Sequence, residues 1–131
     1  MALRFEFDPV NKILIGLLDG RLTDKSLAEA YETARKYAVA TDASAGIWDM
    51  SSVTEFAISS EFLRALASRE PIIADPERPR LVVAPQTVGF GLFRMFQLTG
   101  DSTRPLLRVV RTLGEALTAL GVQAPHFEPL E

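Results

Sequence analysis

The 131-residue chain has no cysteine and only one histidine. The first absence excludes disulfides and thiolate chemistry. The two together remove the thiolate and imidazole ligands on which a protein zinc site depends. The lone histidine, His126, stands beside Pro125 near the end of the sequence. A triad base must be fixed by packing, whereas this one falls in a segment expected to be a tail, so it reads as an ordinary surface side chain. Basic charge is also short, with 14 Lys and Arg against 17 Asp and Glu and a net charge of -3. The acidic excess lies in the first half, and neither half carries the basic footprint that binding a phosphate backbone requires. Nucleic acid is therefore not an expected partner. No apolar run approaches bilayer-spanning length, and "MALRFEFDP" lacks a basic-then-apolar leader, so a cytoplasmic protein is expected. The Gly-x-Gly of "VGFGLF" lacks the third glycine and the spacing of a dinucleotide fingerprint. No cofactor and no metal are expected.

What the chain does have is a globular balance, 47% hydrophobic and 24% charged residues, which suits one domain over residues 1–131 with a tail from about residue 122. "RFEFD" alternates, placing Phe5 and Phe7 on one face and Arg4, Glu6 and Asp8 on the other, the pattern of an edge strand. After the turn residues of "DPVNK", the apolar run "ILIGLLDG" predicts a second strand covered on both faces, and the pair reads as an opening antiparallel hairpin. From Leu27 the period changes: Leu27, Ala30, Tyr31, Ala34, Tyr37 and Ala38 recur at helical spacing, with Thr23 or Asp24 as the N-cap. "AGIWDM" predicts a buried strand that runs out into a serine-rich turn, and "SSEFLRALASRE" a short second helix. The proline-rich "EPIIADPERPR" is a loop, "LVVAP" a short strand, "GFGLFRMFQLTG" a third helix, "LLRVVRT" a strand and "TLGEALTALG" a last helix. The order predicts an α/β fold: a mixed sheet of about five strands, an opening hairpin and then alternating βα units, with four helices.

Three stretches are candidates for function. Asp49 stands near the carboxyl end of a predicted parallel strand, where open α/β sheets place ligands, and Ser51 and Thr54 follow it in the expected turn. Asp49 has no second carboxylate at a paired spacing, so an acid–base pair is missing; it either contacts a ligand or bonds nearby backbone groups. Ser59 and Ser60 open the second helix, as caps or as points of modification. In the third helix, Phe90, Leu92, Phe93, Met95, Phe96 and Leu98 leave only Arg94 and Gln97 polar. Such a helix is either deeply buried or turns its outer side to a protein partner, a second copy in a homodimer, or an apolar ligand. Arg94 among the aromatics would then pair with an anionic group.

The sequence of elements resembles the STAS family, the domain of sulfate transporters and anti-sigma factor antagonists, along nearly the whole chain. "GIWDMSSVTEF" is similar to the family's third strand and its Asp-Leu-Ser turn, "FRMFQLTG" to the helix that ends in Leu-Thr-Gly, and "VVRTLGEALTALG" to the closing strand and helix. The SpoIIAA-like branch is the nearest likeness. In its antagonist members a partner kinase phosphorylates a serine that follows an aspartate at the start of the second helix, and this switches binding off. The resemblance thus implies a non-enzymatic, protein-binding regulatory domain and an anti-sigma-factor-like kinase as partner. Counted from Asp49, the family spacing puts Ala57 and Ile58 where Asp and Ser belong; one residue on, it puts Ile58, Ser59 and Glu61 at the places of Asp, Ser and the following Gly. The switch is therefore degenerate in either register.

A second implication competes with the first. Some SpoIIAA-like proteins resemble the lipid-carrying Sec14 type of fold, which implies a small apolar or lipid-like ligand. Phe62, Phe90, Phe93 and Phe96 would then wall a pocket between the sheet and the helices. An enzyme would require further polar groups gathered around Asp49, and none is evident from spacing.

Overall fold

A computed structural model describes residues 3–100 and 104–130. The hairpin forms as the alternation predicts. Strand β1, Leu3–Asp8, pairs antiparallel with β2, Ile13–Thr23, from Leu3 opposite Leu18 to Asp8 opposite Ile13. Helix α1 spans Asp24–Thr41 and buries Leu27, Ala30, Tyr31, Ala34 and Ala38. Of the two candidate caps, Thr23 takes the position: its side chain accepts from the Ser26 backbone N–H, while the Ser26 hydroxyl accepts from that of Thr23. Strand β3, Ala45–Ala57, lies parallel to β2. Then come α2, Ser60–Ala67, β4, Arg80–Val83, α3, Thr87–Thr99, β5, Leu107–Val110, and α4, Leu113–Ala119. A short last strand, β6, Glu128–Leu130, closes the order.

The sheet runs β5-β4-β3-β2-β1-β6, with the three pairs from β5 to β2 parallel and the two that β1 makes, with β2 and β6, antiparallel. Its sixth strand corrects the expected tail. β6 pairs with β1, Phe5 opposite Leu130 and Phe7 opposite Glu128, so β1 is an inner strand rather than an edge. The reason lies in Asp8, which the alternation placed on the polar face but which is fully buried. Its carboxylate accepts the backbone N–H of His126 at 3.2 Å and so anchors the segment leading into β6.

Helices α1, α2 and α3 cover one face of the sheet. Leu63, Leu66, Phe93 and Phe96 meet Leu18, Met50, Val82 and Leu107 there in the main core. α4 and the residues after it cover the other face, packing Leu113, Ala116, Leu117 and Phe127 against Ile13, Ile15, Ile47 and Val83. β2 is thus apolar on both sides because both sides are covered.

One glycine is essential to this packing. Gly16 stands between Phe5 on β1 and Trp48 on β3 in the strand registers. Having no side chain, it lets the two rings meet edge to face across the strand, 5.8 Å between centroids. A Cβ at Gly16 would lie 2.6 Å from the Trp48 ring and 2.9 Å from that of Phe5. Gly16→Ala should therefore destabilise the fold by about 1–3 kcal/mol through overpacking. Urea unfolding followed by Trp48 fluorescence reads this as a lowered midpoint with an unchanged slope; an unchanged midpoint would mean that the rings part freely.

Candidate functional site

The candidate site grows from the unequal lengths of neighbouring strands. β4 pairs with β3 only from Gly46 to Asp49, whereas β2 accompanies β3 as far as Thr23 opposite Ala57. Beyond Asp49 the two long strands therefore run on as a two-stranded arm. This corrects the expected serine-rich turn after Asp49. Serines suggest a turn locally, but the extension of β2 supplies a pairing partner, and Val53 and Phe56 turn inward against the core. The register shifts twice along the arm, between Leu17 and Asp19 and between Gly20 and Arg21, and the irregularity takes up the residues that looked like a turn. Gln86, just before α3, braces the arm through its side-chain amide, which donates to the carbonyls of Met50 and Val53 at 2.8 and 2.9 Å.

Because β2 and β3 end side by side, α1 and α2 begin side by side. Ser59 is the N-cap of α2, and its Oγ accepts the Phe62 N–H at 3.1 Å. Asp24, the first residue of α1, reaches across: its carboxylate accepts both the backbone N–H and the hydroxyl of Ser59, each at 2.9 Å. One carboxylate thereby serves two helix starts, where the backbone dipoles favour negative charge. Ser60, the next residue, is exposed, and its hydroxyl forms no hydrogen bond with any described residue. Glu61 adds a further acidic group in the same turn.

The other candidates scatter. Asp49 is half-buried on β3 and accepts the Ser51 N–H at 2.9 Å, a local bond of the kind that fixes backbone direction. Ser51 and Thr54 are exposed on the arm. On α3, Phe93 and Phe96 are buried, while Phe90 is half-buried beneath the Arg111 guanidinium, 4.1 Å from its ring centre. Arg94 points to solvent, and the outer side of the helix also leaves Val88 and Leu98 open. α3 is thus buried along one side only. Phe62 is half-buried and packs against the main core.

Between the sheet and the helices lies an internal cavity of about 70 Å³, lined by Phe5, Tyr31, Trp48, Phe93 and Phe96. Of the four phenylalanines expected to wall a pocket, Phe93 and Phe96 do so, and Phe62 and Phe90 do not. The cavity wall also contains two guanidinium groups that no spacing in the sequence brings together, Arg80 and Arg104, both buried. Burial first, and then the charge of Arg104, lower the pKa of Arg80, opposed by Asp75 and Tyr31. A signal for Arg80 exists in "PERPRLVVAP", where a charge opens an otherwise apolar strand. Asp24 had none, since its partner lies 35 residues away. Among the described residues no group of three or more His, Asp or Glu side chains converges to hold a metal ion, and no helix is long and apolar enough to cross a membrane.

No protein-family model matches the chain, and no curated protein matches it in sequence. Solved structures do match. The anti-sigma factor antagonist SpoIIAA in its unphosphorylated form is 14% identical, with a TM-score of 0.60 over 92% of this chain and 98% of that one. The Bacillus cell fate determinant SpoIIAA in its phosphorylated form is 16% identical, with a TM-score of 0.59 over 91% and 99%. An anti-sigma factor antagonist from Mycobacterium paratuberculosis is 25% identical, with a TM-score of 0.56 over 92% and 93%. With its opening hairpin, its mixed sheet and its four helices, the chain has the STAS-like fold of the SpoIIAA-type anti-sigma factor antagonists.

Proposed function

We propose that this chain is a non-enzymatic regulatory domain that binds a protein partner through the start of α2 and the adjoining arm of β3. The observation that carries the reading is the Asp24–Ser59 clasp, which fixes two helix starts on a projecting arm. The likeness to anti-sigma factor antagonists supports it, because one of those structures is of a phosphorylated form. The partner that fits is an anti-sigma-factor-like kinase. In this chain Asp24 provides, from α1, the carboxylate that the sequence lacks just before Ser59.

Ser60 is the better point for a phosphate. A phosphate on Ser59 would break the hydroxyl bond to Asp24 and set a dianion against that carboxylate, whereas Glu61 stands beside either serine. Ser60 is free of such ties. Ser59→Ala is accordingly a stability variant, expected to cost about 1–2 kcal/mol by loss of the cap and the bond to Asp24. Urea unfolding checks that figure. Ser60→Glu is the binding variant. Mixed with a panel of purified bacterial anti-sigma-factor kinases, wild type should co-elute with one of them in size-exclusion chromatography, and Ser60→Glu should not. Addition of ATP should raise the mass of the wild type by one phosphate and leave that of Ser60→Ala unchanged. Co-elution of Ser60→Glu equal to wild type would end the switch, and no complex with any member would end the choice of partner.

The carrier alternative lacks room. A site that encloses a drug-sized or larger ligand takes roughly 300–1,000 Å³, and the internal cavity is about 70 Å³.

A further inference from the structure

The cavity is too small for a lipid, yet it has an unusual wall. Arg80, the first residue of β4, is 9% exposed and lies among apolar side chains. Its Nη2 donates to the carbonyls of Ile73 and Asp75 at 2.8 and 2.7 Å. Its Nε and Nη1 are buried and have no hydrogen-bond partner among the described residues. Among the described residues no carboxylate forms an ion pair with Arg80 within 4.0 Å. A second guanidinium, that of Arg104, lines the same space. A buried cation with unmade hydrogen bonds costs several kcal/mol, so native interiors supply an acceptor or an opposite charge.

The cavity also borders the surface, with only Ile72 and Ile73 between. Ile72 and Ile73 line it from within, and the same two residues line a groove of about 510 Å³ that opens on the surface beside Asp42 and Arg78. They belong to the segment between α2 and β4, which contains no helix or strand. Arg80 ties that segment to the sheet through its bonds to the Ile73 and Asp75 carbonyls, and the Gly46 N–H adds a bond to the Pro79 carbonyl. A molecule entering past Ile72 and Ile73 would meet Arg80.

We infer that the cavity is a binding site for a short-chain carboxylate, whose anionic head accepts from Arg80 and whose alkyl end lies against Trp48 and Phe96. Charge sets the head, because among the described residues the charged groups on the wall are cationic. The apolar remainder sets the tail. Volume sets the length: an engineered cavity of about 150 Å³ in another protein holds benzene, so half that space takes roughly three to five heavy atoms. Acetate and propionate fit this description, and octanoate does not.

Propionate labelled with carbon-13 at its methyl group is the probe. Titrated into the full chain, it should give saturable shifts and nuclear Overhauser contacts from its methyl protons to the Trp48 and Phe96 rings. Propionamide, its neutral counterpart, should bind at least tenfold more weakly, and octanoate should give no contacts to those rings. Arg80→Met keeps the bulk of the side chain and removes the charge; it should reduce propionate affinity at least tenfold. Should that variant fail to fold, Gly46→Val answers instead. Gly46 lines the cavity, where an added Cβ would meet only Ile73 at 3.3 Å, so valine fills the space with Arg80 intact and propionate contacts should vanish. Equal binding of propionate and propionamide, or contacts that survive Gly46→Val, would overturn the site. So would an absence of saturable shifts in the wild type, which would leave ordered water as the occupant.

Discussion

Replacing Arg104 by alanine should destabilise the fold by about 3–5 kcal/mol, the usual effect of removing one partner from a buried charged network. Arg104 is 3% exposed, and its guanidinium closes the end of α2. Nη1 donates to the Ala67 carbonyl at 2.7 Å, while Nη2 donates to the carbonyls of Leu66 and Arg69 and to the Tyr31 hydroxyl at 3.3, 3.1 and 3.1 Å. The last carbonyls of a helix have no partner within it, and here the helix is too short to spare them. A cation at this end also complements the helix dipole, whose negative pole lies at the C-terminus. The ring of Phe96 lies under the same group, 5.1 Å away. Alanine would take the donor from the Ala67 carbonyl, leave that of Leu66 to the Arg69 N–H, and open a void above Phe96. Lysine keeps the charge but offers a single ammonium where a planar fork reaches several acceptors, so Arg104→Lys should recover less than half of the loss. Urea unfolding gives the energies, and amide exchange across α2 shows whether the loss is local to that helix. A loss below 1 kcal/mol with unchanged exchange would contradict the closing role.

Asp8→Ala should cost about 2–3 kcal/mol, by the loss of bonds to a charged acceptor. Asp8 Oδ1 accepts the backbone N–H groups of Val10 and Asn11, each at 3.0 Å, and Oδ2 accepts the Asn11 side-chain amide at 2.7 Å and the His126 N–H at 3.2 Å. One carboxylate thus fastens the hairpin turn and the approach to β6. Burial alone, the largest single influence, raises its pKa, but the donors from Asn11, His126 and Val10 outweigh it together and hold it below the ordinary 3.8. The sign of the pH dependence follows. A folded value below the unfolded one gives stability that is fully present above about pH 4 and is lost as pH falls through the folded value. Asp8→Asn carries no such titration. The gap in unfolding free energy between wild type and Asp8→Asn should therefore be constant from pH 7 to 5 and shrink below pH 4. A gap that does not narrow in acid would show that the ionised form is not what holds the turn.

The elements were readable in the residues because each reports its own burial. Phe5 and Leu14 at strand spacing, and Leu27, Ala30, Tyr31 and Ala34 at helical spacing, point where the core lies with no knowledge of what they meet. Polar partners are a different matter. Ser59 announces a helix start, but nothing near it announces Asp24; Arg104 lies 38 residues from the Leu66 carbonyl that it closes. Those pairings come from topology. The arm of β3 failed for the same reason, since "DMSSVTEF" resembles a turn until β2 is found alongside. β6 failed because "FEPLE" contains a proline and two acidic residues, which argue against a strand unless a neighbour holds it in place.

That last strand bears on how copies of the molecule behave toward one another. A sheet ends in unpaired N–H and C=O groups, and a long flat margin invites another chain to add itself. Here one margin is β6, three residues long with Pro129 at its centre, and the other is β5, four residues long with the exposed Arg108 within it. Proline removes a donor from the first, and both offer too few rungs for a stable addition. Crowding or overexpression should thus not drive this protein into ribbons joined margin to margin.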